Sequence, residues 1–330
     1  MTDLAIPDLA DVFAARRRIA PYLGPTPLYR YPALDALTGA RIWVKHENHQ
    51  PVGAFKVRGG VNLIAQLDAD ARRRGVIAAS TGNHGQSVAY AASLFGVPAV
   101  VCVPEQANPV KVESMRALGA EVIGHGRDFD EAREYCEKLA AERGYRYIHS
   151  GDEPELIAGV ATYALEILEA LPETDAIVVP VGGGSGAAGT CLVAKATRPS
   201  IEVIGVQSEA APAAYRSWQA RELVTDTMGT FAEGLATRTA FELPQRILRE
   251  RLDDFVLVSE DGLAAATRTM IEKTRNLVEP AGAASLAAVL AAPERFIGRT
   301  IVLVCSGGNI SPAQLLSLWA HQLFGVLSLS

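Results

Sequence analysis

One lysine in this chain stands where a reactive amine is expected. Lys56 follows a loop that contains Pro51 and Gly53, and it directly precedes a run, 57–67, whose pattern predicts a helix. A helix N-terminus carries partial positive charge, which disfavours a protonated ammonium. An amine held neutral is a nucleophile that forms a Schiff base with a carbonyl compound. A single lysine is more often an ordinary exposed side chain, so the assignment depends on the other motifs of the chain.

A glycine-rich loop follows the strand predicted over 176–181 and precedes a predicted helix. The loop contains Gly182, Gly183, Gly184, Ser185 and Gly186. Glycines let successive backbone N–H groups point inward and a helix start adds its dipole, so the loop suits a phosphate. Residues 184–189 also match G-x-G-x-x-G, with Glu209 about 20 residues further on, as in a dinucleotide site. The loop alone is compatible with another phosphate-bearing cofactor, with NAD, or with a structural turn.

Two further polar turns follow predicted strands, at the strand ends where open α/β sheets bind ligands. After the strand 76–79, the helix start at Asn83 suits a carboxylate, and the Asn83 amide can donate to a phenolate oxygen; a plain helix cap is an equally good interpretation. After the strand 301–305, Ser306 could place a neutral hydroxyl beside a ring nitrogen, although an ordinary turn is the simpler interpretation. The first turn contains Ser80, Thr81, Gly82, Asn83, His84, Gly85 and Gln86.

Short apolar strands alternate with helices along most of the chain, which predicts an α/β fold with mostly parallel sheets covered by helices on both faces. We expect two lobes: a small domain, 74–150, inserted in a large domain formed by 1–73 and 151–330. Strands are expected at 76–79, 99–103, 121–123, 145–148, 176–181, 203–206, 255–258 and 301–305. The less regular region 215–241 is expected to supply loops that cover a cleft.

Composition excludes several classes of protein. The chain has 330 residues, a net charge of −6 and no long basic tract, so nucleic acid is not an expected partner. The first residues lack the apolar segment of a signal peptide, and the apolar tail, 315–329, is short for a bilayer. Four separated cysteines indicate a reducing compartment, and the histidines do not have metal-ligand spacing. We therefore expect a cytoplasmic protein without a membrane anchor or a metal.

In combination and in this order, the motifs resemble those of the fold type II pyridoxal-phosphate enzymes, within them the serine/threonine dehydratase and serine racemase group. The likeness covers nearly the whole chain. A dinucleotide site has no use for Lys56 or Ser306, which disfavours NAD. The matching segments are 55–59 (cofactor lysine), 80–86 (substrate carboxylate), 182–186 (phosphate), 279–282 (near the ring) and 306–309 (pyridine nitrogen).

The resemblance implies a two-lobed, tryptophan synthase β-like fold and the cofactor pyridoxal 5′-phosphate. It implies that Lys56 holds the cofactor covalently and later removes the Cα proton of the substrate. It also implies that Ser306, being neutral, leaves the ring nitrogen unprotonated, which favours fast elimination. The other implied cofactor-binding residues are Phe55, Asn83, Gly182, Gly183, Gly184, Ser185 and Gly186. The implied substrate-binding residues are Ser80, Thr81, Gly82 and His84, with Thr81 also catalytic.

The chain departs from the family pattern at several positions. Ala54 replaces the usual serine before Phe-Lys, and Ser185 replaces a fourth glycine. Val160 and Ala161 stand where Gln-Gly is common. Gln207 and Ala213 stand where some members have acids that help bind a divalent cation, so no activating metal is expected. The chain ends at residue 330, so the C-terminal regulatory domain of the biosynthetic threonine dehydratases is not expected.

The expected function is a pyridoxal-phosphate-dependent ammonia-lyase that eliminates water from a β-hydroxy-α-amino acid of the serine/threonine class, giving a 2-oxo acid and ammonia. The expected partners are the amino-acid substrate and a second copy of the chain. The alternatives are an amino-acid racemase, a lyase for a larger substrate such as hydroxyaspartate, phenylserine or an intermediate of osmolyte breakdown, and a non-catalytic binder of an amino acid or dinucleotide.

Overall fold

The computed structural model describes residues 4–80, 82–127 and 129–327, with side chains up to residue 320. Its strands are Leu28–Arg30 (β1), Arg41–His46 (β2), Val76–Ala79 (β3), Ala99–Val103 (β4), Glu121–Gly124 (β5), Arg146–Tyr147 (β6), Ala176–Pro180 (β7), Glu202–Ser208 (β8), Asp254–Val258 (β9) and Thr300–Cys305 (β10).

Helices connect nearly all of these strands. They are Leu9–Ile19 (α1), Pro32–Thr38 (α2), Lys56–Ile64 (α3), Ala69–Arg74 (α4), Asn83–Phe95 (α5), Pro109–Ala117 (α6), Phe129–Arg143 (α7), Pro154–Ala170 (α8), Ser185–Thr197 (α9), Ala213–Ala220 (α10), Glu242–Arg251 (α11), Glu260–Thr274 (α12), Pro280–Ala291 (α13) and Pro312–Leu327 (α14).

The strands form two sheets within the described residues. The larger has the order β1-β2-β10-β7-β8-β9, and the smaller has the order β5-β4-β3-β6. Every neighbouring pair is parallel except β1 with β2. The α/β architecture expected from the alternating pattern is therefore confirmed. Because parallel strands end at the same edge of a sheet, the loops that follow β2, β7 and β10 can converge.

Both faces of the larger sheet are buried, which explains why its strands are apolar without interruption. Along β7, Ile177 and Val179 belong to a core shared with α8, α9 and α11, whereas Ala176 and Val178 belong to a core shared with α12 and α13. This alternation follows from the two-residue period of a strand. The smaller sheet is built the same way, with α3, α5 and α6 on one face and α7 on the other.

The helix that begins at Lys56 packs unusually closely on its neighbours. A Cβ atom at Gly60 would lie 2.3 Å from Ser87 Oγ on α5, and one at Gly59 would lie 2.8 Å from the Leu156 carbonyl oxygen on α8. Only glycine allows this approach, so α3 is held between α5 and α8. The core beneath the smaller sheet includes residues of α3 and α8 as well as of 76–120. The domain division at residues 73/74 and 150/151 remains a proposal.

Several boundaries differ from the sequence-based expectation. The turn predicted over 80–86 ends sooner, because α5 begins at Asn83 and takes residues 83–86 into its first turns. Likewise α9 begins at Ser185, and α3 ends at Ile64, short of the expected residue 67. Serine, asparagine and glycine at a helix start have the composition of a turn, which explains these differences. The segment 21–32, where no strand was expected, contains β1.

The last helix of the described chain packs on the body of the protein. Helix α14 lies against α12, where Arg268 donates to the Leu318 carbonyl oxygen. Across the described residues, no helix has both the length and the apolar character that a membrane crossing requires.

Candidate active site

A cavity of about 420 Å³ lies where the carboxyl ends of β3, β7 and β10 meet. Its wall includes residues from each of the four predicted motifs: Lys56, Asn83, the glycine loop and Ser306. Strand direction brings three of them together, because Lys56, the glycine loop and Ser306 follow β2, β7 and β10, which are parallel neighbours in the larger sheet. Asn83 follows β3 of the smaller sheet and reaches the cavity from that side. The structure therefore brings together in one site motifs that are up to 250 residues apart in the chain.

Lys56 is the first residue of α3, and its amine is enclosed by polar acceptors. The Nζ atom donates to the carbonyl oxygen of Ser150 at 2.8 Å and to Ser185 Oγ at 2.9 Å. Burial lowers the pKa of Lys56 to about 8. The sequence argument attributed a neutral amine to the helix dipole; the cause in the structure is removal from water, which penalises the charged form. Lys56 is thus an amine that is largely available as a nucleophile near pH 8.

The glycine loop joins β7 to α9 and requires glycine for two reasons. Gly184 has φ +88° and stands just before α9, a conformation that other residues rarely adopt. A Cβ atom at Gly183 would lie 2.1 Å from the Phe241 ring. All five loop residues, 182–186, line the cavity. The first N–H groups of α9 have no partner within the helix, so the loop presents donors and a helix dipole to an anion.

The turn after β3 forms the opposite wall. Ser80 Oγ accepts a hydrogen bond from the Gly82 N–H at 3.0 Å, and Gly82 immediately precedes α5. Asn83, the first residue of α5, donates from Nδ2 to Glu279 Oε1 at 2.7 Å. Thr81, the predicted second catalytic residue, lies outside the described residues.

His84 is a neutral imidazole. Its Nε2 atom lies 3.2 Å from the Ile148 carbonyl oxygen, which can only accept, so Nε2 carries the proton. Burial, reinforced by the charge of Lys56, lowers the pKa of His84 to about 3. The Nδ1 atom has no hydrogen-bond partner among the described residues. His84 therefore adds no positive charge to the site, and its contribution to an anion there would be packing and polarity.

Ser306 follows β10 and is fixed by the lysine loop. The Phe55 N–H donates to the Ser306 carbonyl oxygen at 3.0 Å, and Ala54 forms an antiparallel bridge with Gly307. Ser306 lines the cavity together with Glu279. The segments that carry Lys56 and Ser306 are thus paired along their backbones, so their relative position is set by main-chain hydrogen bonds.

Several residues of the cavity were not predicted as site residues. Lys111 and Glu233 form an ion pair of 2.5 Å, and both line the cavity. The region 215–241, predicted as covering loops, contributes Met228, Thr230, Gly234 and Phe241 to the wall. Glu279 lies in a segment whose likeness to the family was noted, but it was not assigned a role. None of these residues stands in a motif that reveals its partner, because every partner comes from a distant part of the chain.

A buried ionic cluster lies behind the lysine helix. Arg58 is fully buried and is bound by Glu47 and Glu166, with contacts of 2.7 Å to Glu47 and 2.6 Å to Glu166. Lys45, also buried, pairs with Glu166. The two carboxylates balance the two cations. The cluster joins β2, the turn after it, α3 and α8, so it fixes the helix start at Lys56 from the side opposite the cavity.

The comparison with known proteins agrees with this geometry. A family model described as "Pyridoxal-phosphate dependent enzyme" matches residues 19–307. The L-threonine ammonia-lyase of Thermotoga maritima is 38% identical over 92% of this chain and 75% of its own length. The L-threo-3-hydroxyaspartate ammonia-lyase of Saccharomyces cerevisiae is 36% identical over 93% of this chain and 94% of its own length.

Among solved structures, the serine racemase of Dictyostelium discoideum superposes with a TM-score of 0.87 at 34% identity, covering 93% of this chain and all of the other. The family match extends over the lysine helix, the glycine loop and the strand that precedes Ser306. The chain therefore belongs to the pyridoxal-phosphate dependent enzymes.

Proposed function

We propose that this protein is an ammonia-lyase that eliminates water from a β-hydroxy-α-amino acid and yields a 2-oxo acid and ammonia. The observation that carries the proposal is the contact between the buried amine of Lys56 and Ser185 of the glycine loop. In pyridoxal phosphate the aldehyde and the phosphate arm are on neighbouring ring carbons. A reactive amine beside an anion-binding loop matches that arrangement, whereas a nicotinamide dinucleotide offers no aldehyde to the amine.

The residues present fit the cofactor along its whole length. The N–H groups of the glycine loop suit the phosphate, and Lys56 suits the aldehyde. Ser306 offers a neutral hydroxyl to the ring nitrogen, and the Asn83 amide offers a donor to the phenolate oxygen. When bound, pyridoxal phosphate supplies an electron sink for the electron pair left at Cα after the proton is removed.

Lys56 would act as the base that removes the Cα proton. With its pKa of about 8, about a tenth of the amine is unprotonated at pH 7 and about half at pH 8. The Ser150 carbonyl oxygen and Ser185 Oγ are both acceptors, so they hold the amine in place whether it has two protons or three. The same residue thereby serves as covalent anchor and as proton carrier, which explains its central position in the cavity.

The α-carboxylate of the substrate would lie at the N-terminus of α5. The helix dipole favours an anion there, and backbone N–H groups near Gly82 are available as donors. His84 is neutral, so this anion would be held by dipoles and hydrogen bonds and not by a paired cation. Ser80 is partly committed to the Gly82 N–H, which fixes the turn itself.

A second candidate function is racemisation of the same class of amino acid. It is supported by the sequence, which places a hydroxyl-bearing residue, Thr81, directly after Ser80, and by the likeness to a serine racemase. Returning a proton to the opposite side of Cα requires a second acid/base there. We propose elimination as the main reaction and slow racemisation as a side reaction.

We also propose that no activating cation binds at Gln207. Its Oε1 atom accepts a hydrogen bond from the Tyr215 N–H at 3.0 Å, and Ala213 begins α10 without an oxygen ligand in its side chain. A neutral amide that is engaged in a loop contact is a weak ligand for a hard divalent cation.

A homodimer in the cytoplasm is the assembly we propose. Tyr29 and Leu277 are large apolar side chains that are each more than half exposed. The ring of Tyr29 contacts that of His46, and the Leu277 carbonyl oxygen accepts a hydrogen bond from Asn48, so both residues lie beside the segment 46–48. Exposed apolar surface of this kind supports self-association. The four cysteines are free and buried, which suits a reducing compartment.

The experiment that tests the function is a screen of β-hydroxy amino acids with the holoenzyme, measuring 2-oxo acid and ammonia in parallel. Equal amounts of the two products are expected from at least one substrate. Lys56→Ala should show neither product nor the visible absorbance of lysine-bound cofactor. Turnover by Lys56→Ala above a trace would exclude Lys56 as the base. Failure of the native holoenzyme with every β-hydroxy amino acid would refute the proposed reaction.

A further inference from the structure

The side-chain amide of Asn83 is held between two partners from distant parts of the chain. Its Oδ1 atom accepts a hydrogen bond from Asn309 Nδ2 at 2.8 Å. Its Nδ2 atom donates to Glu279 Oε1 at 2.7 Å. One partner follows β10 and the other directly precedes α13, so the contacts connect the turn after β3 to both.

The direction of these hydrogen bonds, from donor to acceptor, is set by Asn309. Asn309 Nδ2 also donates to the main-chain carbonyl oxygen of Val52 at 2.8 Å. A carbonyl oxygen only accepts, so the nitrogen of the Asn309 amide must face this side. The atom of Asn83 that faces the same nitrogen must then be its oxygen. Consequently Nδ2 of Asn83 faces Glu279, and the Asn83 amide cannot turn over without breaking two hydrogen bonds.

The Glu279 carboxyl makes its hydrogen bond to Asn83 in a buried and closely packed space. It occupies the N-cap position of α13, yet its carboxyl makes no capping hydrogen bond to its own helix. Only 4% of the residue is exposed, and a Cβ atom at Gly307 would lie 2.4 Å from Glu279 Oε1. The turn at Gly307 therefore requires glycine, because a side chain there would occupy the space of the Glu279 carboxyl. In that space the carboxyl lies against Asn83.

Glu279 can accept a hydrogen bond from Asn83 in either charge state. Burial raises the pKa of Glu279, and this outweighs the opposing effect of the Lys111 charge. No ion pair to Glu279 is present among the described residues, because the Lys111 ammonium is paired with Glu233. A protonated carboxyl still offers a carbonyl oxygen to Asn83.

An amide nitrogen carries two hydrogens, and the contact with Glu279 uses one. The second N–H of Asn83 has no partner among the described residues, and Asn83 lines the cavity with Lys56 and Ser306. A pyridoxal-phosphate ring held by these two residues would carry its phenolate oxygen on the ring carbon next to the one that bears the aldehyde. The phenolate oxygen accepts hydrogen bonds, so an N–H group held in a fixed direction is a suitable donor to it.

We propose that Glu279 and Asn309 are positioning residues that fix the Asn83 amide so that its second N–H donates to the phenolate oxygen of the cofactor. The proposal rests on the cofactor site proposed above and is independent of which amino acid is the substrate. It assigns a role to a buried carboxyl that the elimination itself does not use.

The test compares Glu279→Gln with Glu279→Met in the full-length protein. Glutamine keeps a carbonyl oxygen for Asn83, whereas methionine fills similar space without an acceptor. The readouts are the dissociation constant for pyridoxal phosphate and the position of the visible absorbance band. Loss of one hydrogen bond to a charged oxygen weakens binding about tenfold or more. We expect that loss and a displaced band for Glu279→Met, but a change within about twofold for Glu279→Gln. Glu209→Met, an exposed position outside the cavity, is the matched control.

A second variant keeps the test decisive if Glu279→Met does not fold. Asn309→Asp removes the donor that faces Asn83 and leaves its shape nearly unchanged, so the Asn83 amide should turn over and lose the same contact with the cofactor. Thermal unfolding of each cofactor-free variant separates misfolding from misorientation. Equal affinity and an unchanged band in Glu279→Met and Asn309→Asp would overturn the inference. A native protein without any lysine-bound absorbance would instead refute the cofactor site itself.

Discussion

Lys56 Nζ and Ser185 Oγ lie 2.9 Å apart, which places the reactive amine at the first residue of the helix that follows the glycine loop. Ser185 stands at the position where related sequences often have a fourth glycine. Its hydroxyl accepts from the amine in the cofactor-free protein and is free to donate to a phosphate once the amine has reacted. The substitution thus adds one side-chain hydrogen bond to a loop that otherwise offers only backbone donors.

Ser185→Ala should therefore weaken cofactor binding without removing it. The loss of one hydroxyl contact corresponds to about 1 kcal/mol, or about fivefold in the dissociation constant. Alanine is well tolerated at the start of a helix, so the thermal midpoint should change little. The measurement is a titration of the cofactor-free protein with pyridoxal phosphate. An unchanged affinity would show that the hydroxyl does not face the phosphate.

The lowered pKa of Lys56 predicts a pH-dependent stability in the cofactor-free protein. In the unfolded chain the amine has its ordinary pKa of 10.5, and in the folded protein about 8. Between these values the unfolded chain binds a proton that the folded protein does not, so the free energy of unfolding rises with pH in this window. At lower pH both states are protonated, and the buried charge destabilises the folded protein by about 3 kcal/mol.

Lys56→Met should remove this contribution. Denaturant unfolding at pH 7 and pH 10 would measure it as the difference between the native protein and the variant, which cancels the titration of tyrosines and cysteines common to both. The variant should be the more stable of the two at pH 7, and the gap should narrow toward pH 10. A constant gap would mean that the amine is hydrated or paired in the folded protein.

Ser306→Asp tests the assignment of the ring-nitrogen position. A carboxylate beside the nitrogen stabilises its protonated form, which strengthens the electron sink and slows departure of the β-substituent from the substrate. We expect a lower kcat for elimination and a visible spectrum that changes during turnover. Ser306→Ala is the control, since it removes the hydroxyl without adding charge and should cost less. Identical spectra and rates in all three proteins would place Ser306 away from the ring.

The sequence predicted the buried strands well because each is a short apolar run bounded by polar residues, whereas β1, with the sequence Leu-Tyr-Arg, was not predicted. Strand 76–79 was placed to the residue, and the strands before the glycine loop and Ser306 were placed to within one residue. The four motifs were found for the same reason, since each directly follows such a strand or its loop. Helix starts were less certain, because Asn83 and Ser185 look like turn residues while they begin α5 and α9.

The contacts that orient the site were not predictable in the same way. Glu279 meets Asn83 across 196 positions of the chain, and Arg58 meets Glu166 across 108. A charged residue in a helical pattern indicates an exposed face unless its partner is known. Likewise Phe241 lies in an irregular segment, and only the close approach of its ring to Gly183 explains that glycine. Local sequence patterns thus predicted which residues belong to the candidate site, and long-range packing determined how those residues are oriented.

Arg58→Met should be strongly destabilising because it leaves Glu47 buried without a cation. Breaking a buried ion pair on one side costs about 3–5 kcal/mol. Adding Glu47→Gln should recover part of this loss, since the uncompensated charge is then removed. Arg133→Ala, which breaks an ion pair with Glu137 on the surface of α7, is the control and should cost less than about 1 kcal/mol.

The free energy of unfolding, measured with denaturant for the single and double variants, gives the coupling within the cluster. Because the cluster holds the helix start at Lys56, the double variant should also bind pyridoxal phosphate more weakly than the native protein while remaining folded. Additive effects of the two substitutions would show that Arg58 and Glu47 do not depend on each other.

Thr81 is the residue that we expect to bear on elimination versus racemisation, and its role is argued from sequence because it lies outside the described residues. Racemisation requires an acid/base on the side of Cα opposite Lys56, and a hydroxyl after Ser80 is the candidate group. Threonine is β-branched, so its χ1 angle is restricted, which limits the directions in which its hydroxyl can face. This restriction favours elimination.

We therefore expect L- and D-substrates, incubated separately with the native enzyme, to yield 2-oxo acid faster than the opposite enantiomer appears. Thr81→Ala should keep most of the elimination and lose the residual racemisation, whereas Thr81→Ser, free of the β-branch, should racemise faster than the native enzyme. Chiral chromatography and a 2-oxo acid assay on the same samples give both rates. Racemisation that exceeds elimination in the native enzyme and disappears in Thr81→Ala would establish the racemase as the main function, because the hydroxyl would then be the second proton carrier.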